Sequence, residues 1–482
     1  MSIENLIIQA IEKCYDYLKN DKFLEAKIIS HQTTKVDPNC YEAYLIMGIC
    51  FLKEENYEQA KKCFFKSSEC NNLKESSYNN LSVCFAKTND SKQSIEYILR
   101  CLQINPNKDY YWSQLGLQYR RLNLNFEAEK AFEKAISLNE SAINYANYGA
   151  FLADNQKHKE AKSFFEKSIK LDKSFLGPYV DLFHIHALSN KYNYKLWNFY
   201  EKRYDVYEQL KWVKNTGIKI PNNLKECYGK NNVIFCEQGL GDTIMFLRYL
   251  KKVPPKIKFQ VLCGKEMNEV FSLMNIKTIN SLDNTKFDCI ISLMSLPHLL
   301  KLKSIPKSYF PIKNTIKKFN GNIGICWCGS PAHAHDKFRS IDYKIFSEIF
   351  PDKKFNYFSL VKNYSKRTYT ETKEVVDFSQ GVFDNKNLKH FGENIISVID
   401  TVKYILKNNI TLVITVDTMI AHLCASMGVE TWIVLSKKCD WRWGLKGNTK
   451  WYGKNVKLFR QNDLNDWNPV LKKIKECLLD TP

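Results

Sequence analysis

The amino-acid sequence predicts an α-helical solenoid followed by an α/β region, and three features lead to this prediction. The chain has 482 residues, which is too many for one hydrophobic core. Its first third repeats with a period of 34 residues, shortened once to 33. From residue 231 onward, short apolar runs alternate with amphipathic stretches. The first pattern is typical of stacked helix pairs, and the second is typical of a parallel sheet covered by helices.

The repeat can be aligned with start points at residues 7, 41, 75, 109 and 142. Its best copy carries Trp112, Leu115, Gly116, Tyr119, Ala128, Phe132 and Ala135. The other copies have Gly48, Ser82 and Gly149 at the position of Gly116, Ala26, Ala60 and Ala161 at that of Ala128, and Pro38 and Pro106 at the end. Small residues at these positions let two helices approach closely, while aromatic residues fill the groove between pairs.

This spacing resembles the tetratricopeptide repeat (TPR) family. We therefore predict a TPR solenoid of five to six helix pairs over residues 1–190, with a degraded sixth pair between Leu176 and Asn190. The resemblance implies a concave surface that docks peptides or proteins. The alternative is that the array only stiffens or dimerises the chain. Residues 191–230, rich in aromatic residues and lysine, predict a helical connector.

Seven strand-like runs begin at residues 232, 259, 287, 322, 355, 412 and 431, with helical patterns between them. The segment 304–314 contains two prolines and no periodicity, which indicates a boundary between two units. We predict one Rossmann-like unit at 231–315 and a second at 316–482. Two such units facing each other across a cleft form the GT-B arrangement, and ligands bind outside the carboxyl ends of their strands.

A glycine-rich loop follows the first predicted strand and contains the cleft-loop residues Gln238, Gly239 and Gly241. Its glycines favour a tight turn with backbone amides exposed at a helix N-terminus. Asp242, in the first turn of that helix, has two open interpretations: it caps the helix, or it accepts a proton from an acceptor hydroxyl. Ile244 replaces the third glycine of the dinucleotide fingerprint, which argues against NAD.

Polar loops also follow two strands of the second predicted unit. In the first, Ser330, Arg339 and backbone amides suit a diphosphate. The same loop contains His333, His335 and Asp336, which are either metal ligands or solvated side chains. In the second, Asp417, Thr418 and His422 lie where a strand runs into a helix. They are candidate donor contacts, or alternatively a helix cap and a packed histidine.

A fourth motif comprises Asp440, Trp441, Arg442 and Trp443. Trp441 and Arg442 are assigned to the cleft because tryptophan stacks on nucleobases and arginine binds phosphate. The alternative is a packing corner between domains.

Together, EQGLGDT at 237, GICWCGSPAHAHDKFRSI at 324, TVDTMIAHLCASMG at 415 and DWRW at 440 resemble TPR-linked glycosyltransferases related to the heptosyltransferases, glycosyltransferase family nine. The resemblance implies that Asp242 is the catalytic base and that Asp417, Thr418 and His422 contact the sugar-nucleotide donor. It also implies that Arg339 meets the diphosphate, that the unit at 231–315 is the acceptor side and that the unit at 316–482 is the nucleotide-sugar donor side. Heptosyltransferases lack TPR arrays, so their lipid-anchored acceptor is not carried over. The order of domains is similar to enzymes that attach single sugars to Ser or Thr of proteins.

The sequence therefore predicts an inverting, metal-independent glycosyltransferase that moves a sugar from a nucleotide-diphosphate donor to a protein or glycan hydroxyl, with the TPR array recruiting the acceptor or a partner. No Asp-x-Asp follows any strand, so neither a metal nor a cofactor is expected. The alternative is a non-catalytic TPR scaffold with a degenerate nucleotide-binding domain.

Charge and composition limit which kinds of partner and which cellular location we expect. Residues 1–200 carry a net charge of +2, so +18 of the total +20 lies in residues 201–482. Such a field favours anionic partners, or it reflects a lysine-rich proteome. No nucleic-acid motif is present.

No apolar run reaches roughly 18 residues, so we expect no transmembrane segment, although peripheral membrane contact stays open. Sixteen scattered cysteines and the lack of signal-peptide features predict a reducing, cytoplasmic location.

Overall fold

The computed structural model describes residues 2–189, 193–283, 286–315, 318–330, 336–350, 354–362, 366–369, 374–377, 388–390 and 396–481. The chain divides into two compact units, Met1–Pro178 and Tyr179–Pro482. Within the described ranges, no helix is both long enough and apolar enough to cross a membrane.

The first unit consists of five antiparallel helix pairs that stack in chain order. The pairs are α1 (Ile3–Lys19) with α2 (Phe23–Val36), α3 (Tyr41–Lys53) with α4 (Tyr57–Cys70), α5 (Glu75–Lys87) with α6 (Ser91–Ile104), α7 (Asp109–Arg121) with α8 (Asn125–Leu138), and α9 (Ala142–Asp154) with α10 (His158–Leu171). Four of the five predicted start points are the first residues of α3, α5, α7 and α9. The predicted helical solenoid is confirmed.

Glycine sets the distance between the two helices of a pair. A Cβ atom on Gly116 would lie 2.8 Å from the ring of Phe132, closer than real Cβ contacts. Gly48 faces Phe64 and Gly149 faces Phe165 in the same way. In the copy where Ser82 replaces glycine, the position of the phenylalanine is taken by Ile98. In that pair, serine is larger than glycine and isoleucine is smaller than phenylalanine, so the contact keeps its size.

The turn inside each pair adopts a left-handed backbone at one residue. These residues are Asp21, Glu55, Asn89, Asn123 and Gln156, with φ between 54° and 63°. Their spacing repeats the period of the sequence, although glycine is absent from all five positions. The five turns therefore have a common geometry that the sequence pattern did not reveal.

The segment that follows the repeats differs from the prediction. A sixth helix pair was expected between Leu176 and Asn190, but residues Gly177–Leu188 form one helix, α11. Twelve residues make about three turns, which is too short for two helices and a turn. Short helices follow: α12 (Trp197–Tyr200), α13 (Arg203–Val206) and α14 (Lys211–Asn215). Tyr204, Leu210 and Val213 of this connector pack against Val233 and Ile290 of the first sheet.

The first sheet has four parallel strands in the order β3-β2-β1-β4. Its elements are β1 (Asn232–Phe235), α15 (Leu240–Leu250), β2 (Phe259–Leu262), α16 (Asn268–Ser272), β3 (Thr278–Ile279), β4 (Cys289–Ser292) and α17 (Leu296–Leu300). The connector covers one face of this sheet, and α15 belongs to the large core on the other side.

The second sheet has six parallel strands in the order β12-β11-β10-β5-β6-β9. Its elements are β5 (Asn322–Cys326), α18 (Asp336–Arg339), α19 (Tyr343–Phe346), β6 (Asn356–Ser359), β9 (Leu388–Lys389), α20 (Val398–Lys407), β10 (Leu412–Val416), α21 (Met419–Met427), β11 (Glu430–Leu435), β12 (Val456–Arg460) and α22 (Asn468–Leu479). Strands β7 (Lys366–Tyr369) and β8 (Glu374–Asp377) form a separate antiparallel pair. The predicted α/β class is confirmed.

The strand order reverses once in each sheet. In the first sheet the reversal lies between β1 and β4, and in the second it lies between β5 and β10. Open α/β sheets bind ligands at such reversals, outside the carboxyl ends of the strands. The loops that follow β1, β5 and β10 therefore occupy the positions that a ligand site requires.

Candidate functional site

The loop after β1 is shaped by two residues with different constraints. Gln238 adopts φ of +64°, so the left-handed turn is made by glutamine and not by glycine. Gly239 has φ of −86°, which any residue can adopt. Gly241 is constrained by its neighbour, because a Cβ atom there would lie 2.7 Å from Cδ2 of His422 in α21. The expected tight-turn role of the glycines is therefore corrected to a close approach of two helices.

Asp242 has a separate partner for each carboxylate oxygen. Oδ2 accepts a hydrogen bond from the backbone N–H of Gly239 at 3.3 Å, which is a capping contact. Oδ1 forms an ion pair with the guanidinium of Arg442. Burial raises the pKa of Asp242, and this effect outweighs the opposing charge of Arg442. The structure thus shows the predicted capping contact of Asp242 together with an ion pair that the sequence did not predict.

Arg442 is the centre of the charged cluster. Nη1 lies 2.6 Å from Oδ1 of Asp440, and Nη2 donates to Oε1 of Gln238 at 3.0 Å in addition to its contact with Asp242. The guanidinium also lies over the ring of Trp441, 4.5 Å from its centroid. Although burial disfavours a charged arginine, Asp242 and Asp440 raise the pKa of Arg442. Its charge therefore bridges the loops that follow β1 and β11.

Asp417, Thr418 and His422 lie at the start of α21. Thr418 is the N-cap residue, but its side chain makes no capping hydrogen bond. The carboxylate of Asp417 lies 3.9 Å from Nε2 of His422, which is too long for a hydrogen bond. Burial raises the pKa of Asp417 to about 6, and the nearby charge of Asp440 contributes. These contacts leave the Asp417 carboxylate at the edge of the cluster instead of in a cap.

His422 is held as a neutral ring. Its Nδ1 lies 2.7 Å from the hydroxyl of Tyr452, and the ring stacks on Trp443 with centroids 4.9 Å apart. Burial lowers the pKa of His422 to about 3, and the charge of Arg442 lowers it further. A neutral imidazole can exchange a hydrogen bond with a ligand but cannot supply positive charge.

The loop after β5 contributes Arg339 to the same region. Its Nη1 donates to the backbone carbonyl of Asp417 at 2.8 Å, and its guanidinium packs on Gly329, where a Cβ atom would be 2.6 Å away. Asp336 is buried and accepts a hydrogen bond from Ser340 at 2.8 Å. Ser330 is exposed at the open end of the loop. Arg339 and Asp417 therefore lie together, and Ser330 lies at the rim.

The metal hypothesis for this loop receives no support from its described part. His333 and His335 lie outside the described residues. Among the residues that are described, no three His, Cys, Asp or Glu side chains converge in a way that could hold a metal ion.

The two tryptophans of the fourth motif pack inside the protein. Trp441 makes edge contacts with Phe183, Trp197 and Trp451, with centroids 5.5 to 6.1 Å apart. Trp443 is fully buried between His422 and Tyr452. The expected placement of Trp441 in an open cleft is corrected: the apolar rings are used for packing, and Asp440 and Arg442 contribute to the charged cluster.

Sequence reasoning missed a buried network beneath the loop after β1. Arg203 of α13 donates to both carboxylate oxygens of Glu237, at 2.8 to 3.1 Å, and is fully buried. Ser292 donates to the same carboxylate, and Tyr200 accepts from Nε2 of Gln238 at 2.8 Å. These contacts fix the connector to the loop that carries Asp242. Local sequence gave no signal for them, because the partners lie 34 or more positions apart.

Arg460 of β12 was also missed. Its guanidinium donates to the backbone carbonyls of Trp443, Gly444 and Gly447 at 2.8 to 3.4 Å. One side chain thus holds the turn that presents Arg442. An arginine at the end of an apolar strand was the available signal, but nothing in the sequence specified its acceptors.

Comparison with known proteins identifies the repeats. Residues 75–108 and 142–175 match the tetratricopeptide repeat family model. Anaphase-promoting complex subunit 3 of Schizosaccharomyces pombe is 21% identical over 152 residues, which is 31% of this chain and 23% of that protein. The chain thus spans about a quarter of that curated relative.

Two solved structures are similar to this chain over the repeats. YrrB, described as a TPR protein with an unusual peptide-binding site, is 18% identical with a TM-score of 0.31 and covers 35% of this chain and 87% of its own. The pilF protein of Pseudomonas aeruginosa is 15% identical with a TM-score of 0.36 and covers 44% of this chain and 93% of its own.

Proposed function

We propose that this protein is a glycosyltransferase that moves a sugar from a nucleotide-diphosphate donor to a hydroxyl group, with inversion and without a metal. The observation that supports the proposal is the convergence of Asp242, Asp417, Arg339 and Arg442 at the reversal points of two parallel sheets. A half-buried base next to one buried and one half-buried cation is an arrangement that suits transfer from an anionic leaving group. The GT-B arrangement of the two sheets is part of the proposal.

Each of these residues has a chemical role in the proposed reaction. Asp242 accepts the proton of the acceptor hydroxyl. At the same time, the oxygen of that hydroxyl forms a bond to the anomeric carbon of the sugar. The bond from that carbon to the diphosphate oxygen breaks, and the oxygen keeps the electron pair. Arg339 and Arg442 stabilise the departing negative charge. Asp417, Thr418 and the neutral ring of His422 are placed to contact hydroxyl groups of the donor.

The repeats suggest a role in protein interaction. In the proposed division of labour, they bind the acceptor protein or glycan, or a partner that brings it. Stacked TPR pairs form an extended surface suited to such binding.

The second candidate function is a TPR scaffold whose α/β region has lost turnover. The observation that favours it is the set of partners already present in the site: Asp242 is paired with Arg442, and Trp441 and Trp443 are buried in the core. A scaffold of this kind predicts a stable fold that can still bind a nucleotide but neither hydrolyses nor transfers its sugar.

A panel of UDP-, GDP- and ADP-sugars separates the two candidates. The proposal predicts that one nucleotide class raises the melting temperature of the full chain and is slowly hydrolysed. Arg339→Ala and Asp417→Ala should each weaken that binding by roughly 1 to 3 kcal/mol, because each removes a charge-assisted hydrogen bond. Stabilisation without any hydrolysis or transfer would favour the scaffold, and the absence of any nucleotide effect would contradict the glycosyltransferase.

A further inference from the structure

The guanidinium of Arg442 is held between acceptors from two different loops. Asp440 is a neighbour in its own loop, whereas Asp242 and Gln238 come from the loop after β1. The side chain of Arg442 is only 8% exposed. The ion pair with Asp242 therefore links two segments that are 200 positions apart in the chain.

This arrangement contains more negative than positive charge around the arginine. Asp242 and Asp440 both face Arg442, and the charge of Asp440 opposes ionisation of Asp242. The charge of Arg442 also acts on His184, His422 and Tyr200, which are buried or half-buried. Burial raises the pKa of Asp242, whereas Arg442 lowers the pKa of Asp440 in spite of burial, so Asp242 is the weaker of the two partners.

Arg442 also has unused hydrogen-bonding capacity. Its buried Nε has no hydrogen-bond partner among the residues that the structure describes. A buried N–H without an acceptor is costly, and a guanidinium presents its donors in a planar fork that matches phosphate oxygens. If an anionic oxygen replaced Asp242, the N–H donors of Arg442 would therefore already be desolvated and oriented to bind it.

We propose that Arg442 is an exchange residue: a diphosphate that enters the site displaces the Asp242 carboxylate from the guanidinium, and binding of the donor thereby releases the base. This inference rests on the proposed function, because it names the regulation of that same site. Asp242 paired with an arginine is a poor proton acceptor, since the positive charge stabilises its ionised form. Once the guanidinium is engaged by phosphate, Asp242 faces the acceptor as an unpaired carboxylate. Donor must then bind before acceptor.

The exchange predicts that removing the charge of Asp242 improves anion binding. We expect Asp242→Asn to tighten the binding of UDP, GDP, ADP or inorganic pyrophosphate by roughly tenfold, because one competing charge-assisted contact is lost. Arg442→Gln should weaken binding by at least about tenfold for the converse reason. In the double variant, the gain from Asp242→Asn should vanish, since there is no guanidinium to release.

Titration calorimetry on the full chain measures these affinities, with circular dichroism to show that each variant is folded. Asp400→Asn is the matched control, because Asp400 caps α20 from the equivalent helix position through Ser397 and lies 3.9 Å from Lys403 instead of beside an arginine. It should leave affinity unchanged. If Arg442→Gln fails to fold, Arg442→Lys takes its place. Lysine keeps the positive charge but lacks the planar fork of donors, so this variant should bind the anion more weakly than the parent.

Three results would overturn the inference. If Asp242→Asn and Asp400→Asn have the same affinity as the parent, Asp242 does not compete for the guanidinium. If the double variant retains the full gain, the effect does not pass through Arg442. Both outcomes leave the proposed function standing, because nucleotide still binds. If none of the four anions binds the parent or Asp242→Asn, the inference and the donor site of the proposed function fail together.

Discussion

Asp242 differs from the helix cap Asp400 in the partner of its second oxygen, which is Arg442 for Asp242 and Lys403, at 3.9 Å, for Asp400. Asp400 occupies the same helix position in α20, and hydrogen bonds from Ser397 lower its pKa. Asp242 makes the corresponding contact with Gly239, but burial raises its pKa. A cap that served stability alone would resemble Asp400. This difference supports the proposed role of Asp242 in addition to capping.

We predict that Asp242→Asn abolishes most sugar transfer while leaving the fold intact. Asparagine caps a helix nearly as well as aspartate, so the unfolding free energy should change by no more than about 1 kcal/mol. The lost base should lower the transfer rate by roughly 100- to 10,000-fold. Transfer to acceptor is measured with donor in excess, and Asp400→Asn is the control that should keep the parental rate. Parental transfer by Asp242→Asn would reduce Asp242 to a cap.

Asp417 gives the site a defined dependence on pH. Its pKa in the folded protein is about 6, against an ordinary value of 3.8. The folded state therefore binds this proton more tightly than the unfolded state, so the contribution of Asp417 to stability increases as pH falls through that interval. Above the folded pKa, the buried charge opposes folding. Asp417→Asn should thus stabilise the protein at pH of about 7.5, with the gain shrinking to nothing near pH 4.

Urea unfolding followed by tryptophan fluorescence tests this prediction, because eight of the nine tryptophans lie in residues 179–482. Asp400→Asn should behave in the opposite way. Its pKa is lowered in the folded state, so its contribution is present at neutral pH and is lost as pH falls. Parallel stability curves for the parent and Asp417→Asn across the pH range would show that Asp417 is not perturbed by burial.

At the scale of the elements, the helix pairs depend on the contact of glycine with phenylalanine. We predict that Gly116→Ala destabilises the first unit by about 1 to 3 kcal/mol, because its Cβ would overlap the ring of Phe132. Thermal unfolding by circular dichroism at the helical band measures the loss. Gly177→Ala is the control, since no atom lies within 4 Å of its added Cβ. Adding Phe132→Leu to Gly116→Ala should recover part of the stability, and a failure to do so would place the strain elsewhere.

Elements with strong local patterns could be predicted, and those fixed by distant partners could not. The starts of α3, α5, α7 and α9 follow from the repeat of small and aromatic residues. Strands β1, β5 and β10 follow from continuous apolar runs, because they are buried on both faces. Strand β12 was missed because it lies at the edge of its sheet and only two of its residues are fully buried. Its charged residues interrupt the apolar run that marks a buried strand. Residues 191–230 were predicted as a helical connector. The sequence did not show that the apolar residues of this connector cover one face of the first sheet.

At the scale of the whole molecule, the candidate site is assembled from residues that are far apart in sequence. Asp242, Arg339 and Asp417 were recognised because each follows a strand. Their mutual contacts were not predictable, since the ion pair of Asp242 with Arg442 depends on how two sheets of one unit pack. Arg442 was singled out for its flanking tryptophans, but those tryptophans prove to be core residues. The chemistry of a site can thus be read locally while its geometry cannot.

The boundary between the repeats and the α/β region has an energetic consequence. Sequence placed it after residue 190, but the compact units meet between Pro178 and Tyr179. Within the second unit, Phe183 of α11 packs against Trp197, Tyr200 and Trp441, and the carbonyl of Leu188 accepts a hydrogen bond from the backbone of Leu445. Helix α11 is therefore part of the core that supports Arg442.

We predict that a fragment of residues 174–482 folds and binds nucleotide, whereas a fragment of residues 191–482 is markedly less stable. The shorter fragment loses Phe183, and deletion of a buried phenylalanine side chain alone costs about 3 to 5 kcal/mol. Fluorescence-monitored urea unfolding compares the two fragments, and Phe183→Ala in the longer one should reproduce most of the difference. Because Phe183 contacts Trp441, the loss should also weaken nucleotide binding through Arg442. Equal stability and equal affinity of the two fragments would show that α11 is dispensable and that the α/β region begins beyond it.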